Sequence, residues 1–575
     1  MQIQSFRRTA AACGLALALL ASASTARAQT PAAAPATPAK PVAVVAISSY
    51  EKLLADVDFI GALIGMPGVS QMVDGQLTQM TGGKGLAGFD KSRPIGVLVD
   101  MSTMFPNFAG YLPVTDLPAL LEVLKPLQIT SVDAGNGVQQ ITANGQDVYA
   151  KGVGAWTLIG MNPAGMDSMP PDPSETLGPL TNEYDAAIQI NMQSLPPAMK
   201  QQGLAILAQQ QQNLPKLESE SDSDFAARKE AMGAQVAETT RVLNELDAVT
   251  VGLAIAGEEQ KVYLDVLMSA MPGSTLATQF AEGAGMTTNF AGFAQEGAAV
   301  TAQFSQKINA SHIGQLESGL TQIKAEALKG IERHPGEQQQ ALREALDDII
   351  AAIRATAEGG QADGGATVML KPGASTVVVG GLIAEPAKIE SALKKAHGAF
   401  GAQTPPVSWA AATHGGVTFH TMSVPSEKEQ QKAFFGDTIE VVVGLGPKAV
   451  YLAIGAGAGD ALKAVIDGNA AAPASAVKPF DLSVSVAQIL AMASKTVEEA
   501  DRAPLEAAAG AMATAPGKDK VHMFAQTTDN GMQMRLEIEQ GVLKAIAQAG
   551  MTQAMGGAGG PGPVGPPPGA GAGGR

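Results

Sequence analysis

Tyr184–Ile190 reads YDAAIQI, and a second version of this pattern, FDLSVSV, occupies Phe480–Val486. Each segment begins with an aromatic residue and an Asp, and then alternates apolar with small or polar side chains. An alternation with a period of two residues is typical of a β-strand that buries one face. The pattern therefore predicts an equivalent strand in each half of the chain, with Ile188 and Ile190 of the first strand on a buried face.

Four further pairs of segments match in the same order along the chain. They are Val45–Leu53 with Val300–Ile308, Pro118–Glu122 with Pro386–Glu390, Trp156–Gly160 with Tyr451–Gly455, and Leu264–Val266 with Leu536–Ile538. Five matches in one order indicate an internal duplication. We therefore predict an α+β fold of two tandem copies, at residues 42–285 and 286–550. Each copy is expected to be a mixed unit of antiparallel strands, hairpins and amphipathic helices.

Turn and helix signals support this mixed unit. Asn144-Gly145 and Asn530-Gly531 each separate two alternating segments, and Asn-Gly is a preferred two-residue hairpin turn because both positions take positive φ. Apolar side chains at helical spacing predict helices between the hairpins. One such region runs from Pro196 to Leu246 and is interrupted at Pro215.

The amino terminus predicts export. Residues 1–28 contain a basic start, an apolar run over residues 10–20, and the small residues Ala26 and Ala28 that a signal peptidase accepts. We expect cleavage between Ala28 and Gln29. The apolar run is too short to span a bilayer and no later stretch is long enough, so no transmembrane helix is predicted in the mature chain. We expect an exported protein, located in the periplasm, at the cell surface or outside the cell.

Two low-complexity segments flank the predicted copies. Residues 29–41 form a Pro/Ala-rich linker, and residues 551–575 form a Gly/Pro-rich tail. Neither composition supplies enough apolar surface to bury, so both segments are expected to be disordered.

Composition excludes several classes of function. The 575 residues carry a net charge of −16, which argues against a nucleic-acid binder, since such a protein needs a basic face to neutralise phosphates. The single Cys, Cys13, lies in the predicted signal peptide, so the mature chain has no disulfide framework and no Cys-based metal site. We predict no cofactor.

Seven segments carry a resemblance to a known family. They are LLADVDFIG (53–61), GLAGFDKSRPIGVLV (85–99), LPVTDL (112–117), NGQDVYAKGVGAWTLIG (144–160), NEYDAAIQIN (182–191), LNELDAVTVGL (243–253) and NFAGF (289–293). In these segments the chain resembles an uncharacterised, duplicated secreted-protein family of planctomycete-type bacteria. The resemblance covers most of residues 42–310 and weakens in the second half. It implies a signal peptide and a duplicated α/β plan, and it implies no activity and no site residues.

Catalytic motifs are incomplete. Ser49 with Lys52, and Ser391 with Lys394, fit the spacing S-x-x-K, but the companion motifs of enzymes that use it are absent. Both pairs belong to predicted amphipathic helices, where Ser and Lys are ordinary surface residues. Residues 455–460, GAGAGD, follow a predicted strand and open a helix, but the third Gly of a dinucleotide-binding loop is displaced. We predict no catalytic and no cofactor-binding residues.

Metal motifs are also weak. His414 and His420 stand six residues apart around Gly415-Gly416, where one hairpin would bring both close to a shared site. The acidic residues of 218–224 alternate as calcium ligands do, but they lack the Gly and the final Glu of an EF-hand loop. An acidic helix start is the simpler interpretation. We predict no metal site.

Three classes of function stay open. The first is an exported, non-enzymatic protein of the cell envelope with a structural or binding role. The second is a periplasmic binder of an apolar ligand or lipid, suggested by 24 Met against few aromatic residues, since flexible Met side chains adapt to irregular apolar surfaces. The third is a hydrolase whose site is not recognisable in the sequence. An enzyme is the less favoured interpretation, and an envelope protein or an apolar ligand is the expected partner.

Overall fold

The computed structural model describes residues 40–101, 107–125, 129–143, 146–167, 169–216, 222–497 and 499–556. The predicted signal peptide, with its cleavage site at Ala28 and Gln29, lies outside these residues, as do most of the linker and residues 557–575 of the tail. The described chain is a mixed fold of helices with a large antiparallel sheet, which confirms the predicted mixture of antiparallel strands and helices.

The strands fall into two sets along the chain. The first set is β1 (Ala43–Ile47), β2 (Ile95–Asp100), β3 (Asn107–Leu112), β4 (Thr130–Gly135), β5 (Val138–Ala143), β6 (Gln146–Val153), β7 (Trp156–Gly160), β8 (Ala186–Asn191), β9 (Leu246–Ala256) and β10 (Lys261–Ala270). The second set is β11 (Thr287–Thr288), β12 (Val300–Lys307), β13 (Gln361–Met369), β14 (Thr376–Leu382), β15 (Val407–His414), β16 (Val417–Pro425), β17 (Thr438–Leu445), β18 (Ala449–Gly455), β19 (Ser475–Ala476), β20 (Phe480–Ser485), β21 (Lys520–Thr528) and β22 (Gly531–Glu539).

Helices connect these strands, often in pairs. Those of the first half are α1 (Tyr50–Leu63), α2 (Val69–Met80), α3 (Leu117–Leu124), α4 (Pro163–Met166), α5 (Ser174–Thr181), α6 (Pro197–Gln212), α7 (Asp222–Glu245) and α8 (Thr275–Glu282). Those of the second half are α9 (Ala310–Ile331), α10 (Gly336–Glu358), α11 (Pro386–Phe400), α12 (Glu429–Phe435), α13 (Ala458–Ala471), α14 (Val486–Thr496), α15 (Glu499–Ala513) and α16 (Gln540–Gly556).

Hydrogen-bonded pairing gives the order of strands across the sheet. In the first half the order is β4-β5-β6-β7-β3-β2-β1-β8-β9-β10. In the second half it is β15-β16-β17-β18-β14-β13-β12-β20-β21-β22. The same order therefore runs through both halves. Strands β11 and β19 pair separately with each other.

The two halves meet through their last strands. β10 pairs antiparallel with β22, so within the described residues twenty strands form one continuous antiparallel sheet. Leu264 lies opposite Leu536, and these are the first residues of the matched triplets Leu264–Val266 and Leu536–Ile538. The sequence did not predict this pairing, because its pattern indicates strands and not their neighbours.

The five matched segment pairs fall on elements with corresponding places in the two halves. One pair of segments begins in β1 and in β12, and a second pair begins in α3 and in α11. The other three pairs lie on β7 with β18, on β8 with β20, and on β10 with β22. The helical region from Pro196 to Leu246 forms α6 and α7, with its break after Gln212, close to the predicted interruption at Pro215.

Three local details differ from the sequence predictions. Thr528 pairs with Gly531, so the second hairpin turns at Asp529 and Asn530, one residue earlier than predicted, with Asn530 at φ 56°. β20 ends at Ser485, because Val486 begins the good helix-forming run of α14. α16 reaches Gly556, six residues into the predicted tail, since the first Pro comes later. The first hairpin, β5 with β6, forms as predicted, while its turn residues lie outside the described chain.

One face of the sheet is covered along both halves, and we call it the first face. In the first half Val44, Leu98 and Leu158 of this face pack with Leu177 of α5. In the second half the strands on this face pack in the same way against α13, with Val378, Val442 and Ala453 in one cluster with Leu462 and Val465. These side chains are nearly inaccessible to water. Burial of this amount of aliphatic surface is the main force that holds each half together.

Candidate functional site

The opposite, second face of the sheet carries two adjacent rows of apolar side chains near the junction of the halves, which we call the apolar stripe. One row is Val97, Val45, Ile188, Val251, Val266, Met534, Ala525 and Phe480. The other is Ile95, Ile47, Ala186, Leu253, Leu264, Leu536, Met523 and Leu482. Every position in both rows is apolar, across eight consecutive strands.

The apolar stripe is accessible to water. Ile188, Leu253 and Leu264 are 37%, 39% and 40% exposed, and all the other members except the buried Ala525 are half-buried. On the first face of the same strands Ala187 is buried. The prediction that Ile188 lies on a buried face is therefore wrong. The alternating sequence pattern indicates on which face of the strand Ile188 lies. It carries no information on whether another element of the structure covers that face.

Helices cover this face on either side of the apolar stripe. Along the strands in one direction, Ile190 and Met268 pack in a cluster with Phe280 of α8. In the other direction, Val521 and Ile538 pack against α14, α15 and α16. The apolar stripe thus lies between two packed regions. With neighbouring strands about 4.8 Å apart, its eight strands extend over roughly 34 Å.

At the same junction the first face carries polar side chains that are buried, whereas the second face carries apolar side chains that are accessible. A sheet in water usually buries its apolar face and exposes its polar face. Asp265 of β10 is completely buried and accepts hydrogen bonds from Arg535 Nε and Nη2 of β22 at 2.8 and 2.7 Å. Gln533 Nε2 and the hydroxyl of Tyr184 also donate to Asp265, at 2.5 and 3.0 Å. Gly252 permits this arrangement, since a Cβ there would lie 2.4 Å from the Tyr184 ring.

The hydrogen-bond network around Asp265 shifts the pKa values of Arg535 and Tyr184. The hydrogen bonds to Asp265 raise the pKa of Arg535 further above its ordinary value, so the guanidinium stays charged. Burial and the negative charge of Asp265 raise the pKa of Tyr184, so its hydroxyl keeps the proton that it donates. Arg535 also stacks on Tyr263 with 3.9 Å between the guanidinium carbon and the ring centroid. Asp265 receives four hydrogen bonds and has its countercharge beside it, so its hydrogen-bonding capacity is satisfied within the fold.

The predicted S-x-x-K pairs have structural roles. Ser49 caps α1, accepting a hydrogen bond from the backbone N–H of Lys52 at 3.2 Å. Ser391 of α11 donates to Asp348 of α10 at 2.8 Å, and Lys394 pairs with Glu390 one turn away on its own helix. Lys52 Nζ lies 2.6 Å from Asp185 and Lys394 Nζ lies 2.7 Å from Glu390, so each Lys amine is paired with a carboxylate and not with the Ser of its motif.

The Gly-rich segment and the two His have similarly local explanations. Gly455 ends β18 and Gly457, at φ 65°, precedes α13, which makes a tight strand-to-helix turn. His414 pairs with Asp467 of α13, whereas His420 is buried against Trp409 and faces Glu390 of α11. The two imidazoles therefore face different helices and do not share a site.

No group of three or more His, Cys, Asp or Glu side chains among the described residues is arranged to hold a metal ion. Of the acidic segment at 218–224, residues 218–221 lie outside the described chain. The residues most relevant to function, those of the apolar stripe, were missed as a site by the sequence analysis. Their signal was present as alternating apolar residues in several consecutive strands, but a sequence does not reveal which face is covered.

Comparison with known proteins yields no relative, since no family model, curated protein or solved structure matches this chain. Within the part of the chain that the structure covers, none of the helices has the length and apolar character needed to cross a bilayer.

Proposed function

We propose that this protein is an exported, non-enzymatic binding protein of the cell envelope, and that it holds the acyl chain of a lipid on the apolar stripe. The accessible apolar stripe is the observation that carries this proposal. Monomeric soluble proteins rarely leave a contiguous apolar surface of more than a few hundred Å² in contact with water, and larger surfaces mark binding sites.

The shape and chemistry of the apolar stripe favour an acyl chain over other apolar ligands. The two rows form a long, narrow band without a charged residue, and Leu, Ile, Val and Met supply most of its surface. Phe480, at one end, is its one aromatic side chain, so the band offers little stacking surface for a flat aromatic ligand. An elongated aliphatic chain can contact both rows at once.

The proposal includes the architecture. We infer that residues 42–285 and 286–550 are two tandem copies, and the identical strand orders of the two halves and the placement of all five matched segment pairs support this inference. The resemblance to the secreted planctomycete-type family, which implies the same duplicated plan, stays a prediction. A purely structural envelope role would leave the apolar stripe without a ligand. A hydrolase has no supporting cluster among the described residues.

Export is tested by the mass of the mature protein. We expect the chain recovered from the envelope fraction to begin at Gln29, because Ala26 and Ala28 fit the small side-chain pockets of signal peptidase. Intact-mass spectrometry measures this directly. A variant with Trp at both Ala positions is the control and should keep residues 1–28. Recovery of the unchanged chain with these residues attached would refute the export proposal.

Ligand binding is tested by replacing the two most exposed leucines of the apolar stripe. We expect Leu253→Ser with Leu264→Ser to weaken binding of a fluorescent fatty acid at least about tenfold, since each buried methylene contributes about 0.8 kcal/mol. The control is Val132→Ser on β4, where an equally apolar side chain is 63% exposed but lies far along the sheet. Fluorescence titration of the purified mature protein measures the affinity, and mass spectrometry of an organic extract identifies bound lipid. Equal affinity in the double variant would contradict the proposal.

A further inference from the structure

The edge strand of the second half, β15, contains a bulge that faces a buried histidine. β15 pairs with β16, and this pairing is interrupted between Ser408 and Ala412. The three residues between them, 409–411, all lie opposite the single residue His420 of β16. Bulges of this kind interrupt the regular hydrogen bonds of a strand pair and redirect the side chains of the bulged strand.

The backbone at the centre of this bulge is strained. Ala410 has a φ of 51°, in the left-handed region that favours glycine. A residue with a Cβ keeps such a conformation only where the surrounding structure holds it. Here the backbone N–H of Ala410 donates a hydrogen bond to Nδ1 of His420 at 2.9 Å. Because Nδ1 accepts this bond, the proton of the neutral imidazole is on Nε2.

The imidazole of His420 has little other support. His420 is 3% exposed, and its Nε2 is buried without a hydrogen-bond partner. Glu390 Oε1 of α11 lies 3.6 Å from Nε2, too far for a hydrogen bond, and accepts one from Lys394 at 2.7 Å. Among the described residues, the bond from Ala410 is therefore the hydrogen bond that holds this ring.

The charged and titratable groups that face His420 belong to α11. Burial is the largest influence and lowers the pKa of His420 below its ordinary value, while the charge of Glu390 raises this pKa and that of Lys394 lowers it. His397, also on α11, contacts Trp409 with 5.9 Å between the ring centroids, and Trp409 lies 5.1 Å from the ring of His420. The neighbouring strands β15 and β17 present uncharged residues to His420.

We propose that His420 is a pH-sensitive switch, which fixes the bulge of β15 while the imidazole is neutral and releases it when Nδ1 takes up a proton. A protonated Nδ1 is a donor, so it can no longer accept the N–H of Ala410. The contact that holds the strained backbone of Ala410 is then lost, and residues 409–411 become accessible to water. Nε2 keeps its proton and is attracted to Glu390, the nearest countercharge.

The direction of the pH effect follows from the lowered pKa of His420. The folded chain binds a proton there less readily than the unfolded chain, so the neutral ring contributes its full stability above about pH 6.5. This contribution is lost as the pH falls from that value through the pKa of the folded state. The edge strand of the first half differs, since β4 pairs with β5 and neither strand contains a His.

Hydrogen–deuterium exchange of the mature protein tests this switch, with mass spectrometry that resolves single amides. We expect the protection of the Ala410 amide, corrected for the intrinsic pH dependence of exchange, to fall at least about tenfold between about pH 7.5 and about pH 4.5. The paired amides of β4 are the internal reference and should keep their protection. His414→Asn is the matched control and should behave as the wild type, because His414 pairs with Asp467 outside the bulge.

Two variants at the switch itself separate the hydrogen bond from the titration. In His420→Asn the side-chain oxygen can accept the N–H of Ala410 and does not titrate, so protection should stay high at both pH values. His420→Leu has no acceptor and should give low protection at both.

Histidine NMR of the wild type is a second measurement, and it does not depend on whether a variant folds. The signal of His420, which is absent from His420→Asn or His420→Leu, should show the proton on Nε2 and titrate below about pH 6.5. Protection of Ala410 that does not change with pH in the wild type would overturn the proposal. So would a pH response that persists in His420→Asn or disappears in His414→Asn, or a set of histidine signals none of which titrates below about pH 6.5.

Discussion

Arg535→Met is expected to lower the free energy of unfolding by about 3–5 kcal/mol, because it leaves the carboxylate of Asp265 buried without its countercharge. Asp265 has no exposure to water and receives two of its four hydrogen bonds from the guanidinium. Gln533 and Tyr184 remain as donors in the variant, but both are neutral. The pair also joins β10 to β22, so its loss weakens the contact between the two halves of the sheet.

Urea unfolding of the mature protein, followed by circular dichroism, measures this loss. A double variant, Asp265→Leu with Arg535→Met, should recover most of the stability, since apolar side chains of similar volume often replace a buried ion pair without loss. The matched control is Lys261→Met on the same strand as Asp265, where the partners Glu259 and Glu537 are less deeply buried. It should cost less than about 1 kcal/mol. A silent Arg535→Met would show that the ion pair does not hold the junction.

Much of the local structure was predictable from the sequence because it depends on local patterns. The alternation in Tyr184–Ile190 correctly indicated β8, and the helical spacing after Pro196 correctly indicated α6 and α7. Asn530 takes the positive φ that its turn requires. Backbone sterics and side-chain periodicity determine these features over a few residues, so a single sequence is enough to see them.

The arrangement at the junction could not be predicted in the same way. Asp265 and Arg535 are 270 residues apart, and no local pattern links two charged residues in different halves. The helices that pack on the second face of the sheet decide which part of that face stays exposed. Ile190 is buried, whereas Ile188, two residues earlier on the same face, is exposed. Both features follow from tertiary packing, which overrides what strand propensity and alternation indicate.

Ile190→Asp is expected to lower the free energy of unfolding by about 4 kcal/mol or more. Ile190 is 5% exposed and packs in a cluster with Met268 and Phe280. The substitution loses the burial of an aliphatic side chain, worth about 1.5–3 kcal/mol, and places an unpaired charge among apolar neighbours. Thermal and urea unfolding measure the effect, and a loss below about 1 kcal/mol would mean that the α8 cluster does not bury this position.

Ile188→Asp is the matched control, because it makes the same substitution on the same face of the same strand, two residues earlier. Ile188 is 37% exposed, so a carboxylate there keeps its water and should change stability by no more than about 1 kcal/mol. It should nevertheless weaken binding of the fluorescent fatty acid, since it puts a charge into the apolar stripe. A folded Ile188→Asp variant with unchanged fatty-acid affinity would show that this exposed side chain has no role in binding. A folded variant with reduced affinity would show that Ile188 contributes to ligand binding. One strand, β8, would then contribute to the core through Ile190 and to the ligand site through Ile188.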